Sequence, residues 1–215
     1  MFEYGLDFLD ILLLLLTGAV ALYLFYCFYT RYQKEKEAYD IYYMVSFGAL
    51  LSGCVLLAIF GFAVLDDALS EIIGAIVPAA LALGLVTQFT PKLGKIFLYF
   101  AAIGLVLITI TAFAAPDYAG YFLVLVHLVS ELLILILPVV AVAKKKTRGA
   151  FISTSVGGLL FFITGLALAM LSTGMLGLLT GYIAMPILLA LSLVLFLMIL
   201  FFAYGFVRDI KYQTS

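Results

Sequence analysis

The sequence has no tryptophan, a single histidine and two cysteines, and only 11% of its 215 residues are charged. Each shortage removes a class of chemistry. One histidine, His127, cannot by itself build a bis-histidine haem or a three-histidine zinc site. Cys27 and Cys54 fall in different apolar segments at depths that differ by roughly 15–20 Å at 1.5 Å per helical residue, too far apart for a disulfide. There is no H-E-x-x-H, no phosphate-binding glycine loop and no C-x-x-C. No cofactor and no metal is therefore expected, and the chain does not read as an enzyme. The scarcity of charge goes with 67% apolar residues and a mean hydropathy of +1.31. A water-soluble fold of this composition would leave too much greasy surface uncovered. That excludes a soluble enzyme, a nucleic-acid binder and a disordered chain.

What is present is a series of long apolar runs. A span needs roughly 20 apolar residues to cross about 30 Å of hydrocarbon. Polar clusters cut the chain into seven such runs, over Phe8–Tyr29, Tyr39–Val64, Ala68–Phe89, Lys95–Ala114, Tyr118–Ala143, Ala150–Ser172 and Leu176–Val207. The breaks carry turn chemistry: Asp66-Asp67, Thr90-Pro91, Ala115-Pro116-Asp117 and Lys144 to Gly149. Lipid offers no hydrogen-bond partner, so each span must satisfy its own backbone as a helix. Runs such as Ile11–Leu16 lack the alternation of a barrel strand. The reading is an all-α integral membrane protein, a seven-helix bundle in one domain over 1–215, multi-pass in the cell membrane and in contact with its lipids.

Charge orders the ends. With seven spans, all eleven basic residues fall on one side: Arg31, Lys34, Lys36, Lys92, Lys95, Lys144, Lys145, Lys146, Arg148, Arg208 and Lys211. Glu3, Asp7, Asp10, Asp66, Asp67, Glu71 and Asp117 fall on the other. The positive-inside rule then puts the N-terminus outside and the C-terminus in the cytoplasm. The acidic Met1–Asp10 segment suits an uncleaved anchor and not a signal peptide, which needs a basic start. Tyr26, Tyr29, Tyr32, Tyr39, Tyr42 and Tyr43 gather at one interface, where amphipathic rings belong. The mixed charges of Arg31–Glu37 read as a solvated helix extension.

Glu131 is the residue that demands an account. It falls near the middle of the fifth span, where a carboxylate costs about 2.5–3.5 kcal/mol or more. His127 lies one helical turn away on the same face, with Ser130 beside it, and Pro138 leaves the Ile134 carbonyl without its helical donor. Either this is a titratable pair serving proton or cation movement, or a neutral hydrogen bond that locks helix packing. Pro78, Pro138 and Pro186 lie inside spans three, five and seven, where helix kinks open backbone for a binding site or simply aid packing. Asp66, Asp67 and Glu71 form an outer acidic cluster, either a cation entrance or an ordinary capped helix start.

Sliding the chain on itself by roughly 109 residues lays Gly48-Ala49-Leu50-Leu51 over Gly157-Gly158-Leu159-Leu160 and brings Pro78 near Pro186. Either such a match arises by chance in so apolar a chain, or it marks two parallel three-helix repeats joined by a linker span, the plan of sugar transporters of the SWEET type, which this chain matches in helix count alone. Span one has no counterpart of His127, Glu131 and Pro138, which counts against a close repeat. The helix count is also that of microbial rhodopsins and G-protein-coupled receptors, but span seven has no lysine for a retinal Schiff base. The leading expectation is a small transporter or channel acting on a small solute or proton through His127, Ser130 and Glu131. A non-catalytic subunit of a membrane complex or homo-oligomer, and a seven-helix ligand-sensing receptor, stand as alternatives.

Overall fold

Helix ends are set by local chemistry. Asp7 accepts the Asp10 N–H at 2.8 Å and begins α1, Phe8–Glu35. That helix closes on Lys36 in the left-handed conformation, and α2 follows as Ala38–Phe60. Gly61, at φ +67°, turns the chain into a 3-10 helix over Gly61–Asp66. The Asp67 carboxylate accepts the Leu69 N–H at 2.7 Å and starts α3, Ala68–Phe89. Pro91 and Pro116 occupy the first positions of α4, Pro91–Ala114, and α5, Pro116–Ala143, where a missing N–H costs nothing. A 3-10 turn over Gly149–Phe151 leads into α6, Ile152–Ser172, and α7 runs over Leu191–Gln213.

This computed structural model describes residues 6–172 and 190–213. Within them α1 to α5 and α7 are six helices long and apolar enough to cross a bilayer, and Gly149–Gly165 is a shorter apolar helical stretch. The chain is a multi-pass membrane helical bundle whose outward surface is Leu, Ile, Val, Phe and Tyr, the groups lipid accepts. Four of the described boundaries differ from the sequence expectation by four to six residues. α1 runs on to Glu35, α2 stops at Phe60, α4 starts at Pro91 and α7 continues to Gln213, because capping and proline geometry, not apolarity, end a helix. Pro186 and the first part of the expected seventh span lie outside the described residues.

The helices form a ring in the order α1, α2, α3, α5, α6, α7 and back to α1, with α4 outside it against α3 and α5. Three of the described helices in the ring precede α4 and three follow it, and α1 and α5 are both 28 residues long. The close contacts repeat in register. In the first half Tyr43 of α2 fills the notch at Gly84 of α3, and in the second Thr154 of α6 fills the notch at Gly205 of α7. Three residues after Tyr43, Ser46 donates to the Val77 carbonyl at 2.8 Å. Three residues after Thr154, Gly157 packs on the Met198 carbonyl. Val77 precedes Gly84 by seven positions, as Met198 precedes Gly205. The two halves thus share one spacing of close contacts, and the ring order sets α3 across from α7, with α4 as the odd helix.

The contact spacing gives a different register from the one read in sequence. Gly157 corresponds to Ser46 and not to Gly48, and Pro78 corresponds to Ile199 and not to Pro186. Matching apolar letters does not choose between these alignments, because a shift along the helix costs little in a composition this uniform. The contact residues carry the signal.

Consecutive helices turn at alternate ends, so the eleven basic residues gather at one end of the bundle. There Phe206 of α7 packs on Phe28, Tyr43, Phe47 and Phe151 with ring centroids 5.0 to 5.8 Å apart. Aromatic packing of this kind buries large area and adds edge-to-face attraction. At the acidic end Ser192 of α7 donates a hydrogen bond to the Asp10 carboxylate of α1.

Candidate functional site

The fifth helix positions the site. His127 and Glu131 stand one turn apart, and one hydrogen bond joins Nδ1 to Oε1 at 3.1 Å. Glu131 is completely buried and His127 nearly so. The neighbouring wall is α6. A Cβ placed on Gly165 would lie 2.1 Å from Glu131 Oε1 and 3.0 Å from His127 Nδ1, so only glycine leaves room for the carboxylate. Phe161, one turn along α6, presents its ring edge-on to the imidazole at 6.4 Å. The pair therefore points into the bundle, between α5 and α6.

Pro138 contributes to the same approach. Its ring nitrogen carries no hydrogen, so the Ile134 carbonyl lacks the usual donor one turn on. Gly158 of α6 sits directly over that carbonyl, with a hypothetical Cβ 3.2 Å from the oxygen. Gly157, Gly158 and Gly165 together let α6 lie close to α5 and α7.

The unspent hydrogen-bonding capacity is what distinguishes this region. Glu131 Oε2, His127 Nε2 and Ser130 Oγ are buried and have no partner among the described residues. Elsewhere in the bundle hydroxyls are satisfied locally: Thr17, Ser52, Thr109, Thr111 and Thr164 each donate to a carbonyl on the preceding turn. Ser130 does not. Nor do Thr154 and Ser155 on α6, whose Oγ atoms are also buried and unpartnered among the described residues. A buried polar atom left without a partner costs about 1–3 kcal/mol, and native proteins meet that cost with water, a solute or a function.

The remaining sequence candidates separate from this centre. Asp67 is committed as the cap of α3, and Glu71 sits in the first turn of that helix, where the dipole favours a carboxylate. The side chain of Asp66 lies outside the described residues, as does Pro186. Pro78 is buried within α3. Cys27 and Cys54 are free. Among the described residues no three His, Cys, Asp or Glu side chains are placed to hold a metal ion.

A second polar region lies at the basic end, and the sequence reading missed it. Arg31 is buried, contrary to the solvated extension expected of Arg31–Glu37. Its Nε donates to Asp40 Oδ1 at 2.7 Å, a second guanidinium nitrogen bonds the same oxygen, and the group lies over the rings of Phe28 and Tyr39 at 5.1 and 5.0 Å. Tyr43 donates to the Gln88 amide oxygen at 2.6 Å. Gln88 in turn donates to Asp209 Oδ2 at 3.1 Å, and Thr147 donates to the other oxygen of Asp209. Lys146 caps α3 through a 2.7 Å bond to the Phe89 carbonyl. The available signal was the sign of the charge. Asp40 and Asp209 are carboxylates on the basic side, and the buried ones among such residues need cations or amides beside them.

No family model, curated protein or solved structure matches this chain. Function then has to come from the chemistry of the site. Chemically, a carboxyl and an imidazole that share one hydrogen bond hold a proton between them and leave Oε2 and Nε2 to exchange it with a third group. That is the minimal equipment of a proton relay.

Proposed function

We propose that the chain is a seven-crossing membrane transporter or channel, with its basic end in the cytoplasm, that moves protons or a proton-coupled small solute through the His127–Glu131 pair. The observation that carries this reading is the set of three buried, unpartnered polar atoms, Glu131 Oε2, His127 Nε2 and Ser130 Oγ, close together at the middle of α5. The ring of three helices from each half, with one extra helix outside, is a plan that transporters use, and it adds support. The basic residues at one end favour the cytoplasmic side by the positive-inside rule.

One observation favours a second reading. The Glu131 side chain is wholly buried and fitted against Gly165. A neutral Glu–His bond in a dry contact would serve a non-catalytic subunit of a membrane complex by fixing α5 on α6.

Two measurements separate the readings. Purified protein in vesicles, driven by a potassium diffusion potential, is expected to take up protons, and Glu131→Gln is expected to cut that flux about 100-fold or more, the range for removing a proton-transfer group. Infrared spectra in heavy water are expected to show the Glu131 carboxyl exchanging its proton, with the band missing from Glu131→Gln. A carboxyl that does not exchange, with flux unaltered by Glu131→Gln, establishes the packing role and overturns the transport reading.

A further inference from the structure

We infer that the hydrogen-bonded chain Tyr43–Gln88–Asp209–Thr147 is a gate, closed in this structure, that seals the basic end across the seam between the two halves; the inference rests on the transport reading. Gln88 lies four residues after Gly84, and Asp209 lies four residues after Gly205. They are therefore the same position in the two halves, and they bond each other at 3.1 Å. The bond joins α3 of the first half to α7 of the second, which are not neighbours in the ring, so it marks a point where the halves close on each other.

The chain is also the place where the most separate pieces of the fold are joined. Tyr43 brings α2, Gln88 brings α3, Asp209 brings α7 and Thr147 brings the loop between α5 and α6. Beneath it Tyr43 and Phe206 pack at 5.0 Å, with Phe28 at 4.6 Å from Tyr43, so water meets a polar bar and then an aromatic floor. Parting two halves at one end is the usual motion of parallel-repeat and hinge-closing proteins. Here that motion must separate Gln88 from Asp209. The hydroxyl and amide links are single neutral or singly charged hydrogen bonds, weak enough in net terms to be broken and remade. The Arg31–Asp40 pair joins α1 to α2 within the first half and does not cross the seam. At the acidic end the bond from Ser192 to Asp10 joins α7 to α1, which are neighbours in the ring.

The test reads opening directly. Leu81 lies two turns inside Gln88 on the same face of α3 and is 1% exposed. In a full-length background with Cys27→Ala and Cys54→Ala, Leu81→Cys is labelled with a charged, membrane-impermeant maleimide added to one side of sealed vesicles at a time. Gln88→Leu, which cuts the cross-seam bond, is expected to raise the labelling rate from the basic side about five-fold, the change that loss of one net hydrogen bond gives. Thr147→Val and Tyr43→Phe, each removing one hydroxyl and keeping the packing shape, are expected to raise it in the same direction. Labelling from the acidic side is expected to stay unchanged. Equal rates in all three variants, with Leu81→Cys fully reactive after denaturation, would falsify the gate. Because maleimide reports access and not flux, this result is independent of the Glu131→Gln assay, and failure of either inference is seen separately.

Discussion

Replacing Arg31 with Met is expected to lower the unfolding free energy of the bundle by roughly 3–5 kcal/mol, the cost of leaving a buried charge without its partner. Asp40 is fully buried, and Arg31 donates two bonds to its Oδ1, while Oδ2 has no partner among the described residues. Without the guanidinium the carboxylate must take up a proton or drag water into the turn between α1 and α2. Asp40→Asn is expected to cost less. The guanidinium keeps its places over Phe28 and Tyr39 and retains an amide oxygen to bond. The double change Arg31→Met with Asp40→Leu is expected to recover most of the loss, because a well-packed apolar pair is often as stable as a buried ionic one. Unfolding of the purified protein in mixed micelles, followed by far-UV circular dichroism, measures all three. A loss for Arg31→Met no larger than that of an exposed arginine such as Arg208→Met would show that the pair is hydrated and not buried. The one warning in the sequence is the sign of Asp40, a carboxylate among basic residues; the spacing to Arg31 looks like that of any charged segment.

How far the fold could be read in advance depended on which physical force wrote it. Burial in lipid acts on stretches of some twenty residues, so the placing of α3 at Ala68–Phe89 and the ends of α4 and α5 at Ala114 and Ala143 follow from apolarity and agree with the structure. The gathering of basic residues at one end followed for the same reason. Helix starts were less legible: the start of α3 after Asp67 agrees, but Pro91 and Pro116 read as turn residues, with spans from Lys95 and Tyr118, whereas both prolines are the first residues of their helices. Glu131 and His127 were legible because ionisable groups are so rare here that each one needs a reason, and helical spacing alone sets them side by side. Gly165 was not legible. Its importance comes from which helix lies opposite α5, and nothing local to a glycine in an apolar run reports that. The clasp of Gln88 and Asp209 was hidden in the same way, because its partners lie 121 residues apart.

Gly165→Ala tests whether the site is as tightly made as its geometry states, and its effect is expected to change sign with the residue at position 131. In the wild type the added methyl falls 2.1 Å from Glu131 Oε1, so either the carboxyl swings off His127 or α6 backs away from α5. Overpacking of this kind costs about 1–3 kcal/mol. Once Glu131→Ala has removed the carboxyl, the nearest remaining atom is His127 Nδ1 at 3.0 Å, on a side chain freed from its bond. The intrinsic helix preference of alanine over glycine, about 0.8–1.0 kcal/mol in an interior position, then prevails, and Gly165→Ala is expected to stabilise the double variant relative to Glu131→Ala alone. Residues in direct contact couple by 0.5–3 kcal/mol in such cycles, so the sign reversal lies within reach of micelle unfolding curves. The same pair of variants bears on function. If Glu131 carries protons, Gly165→Ala on its own must slow the flux, because it moves the carboxyl oxygen that faces His127 while leaving both ionisable groups in place. A stability loss that persists unchanged when Glu131 is gone would mean that the methyl clashes with backbone, and that α6 does not hold the carboxylate at all.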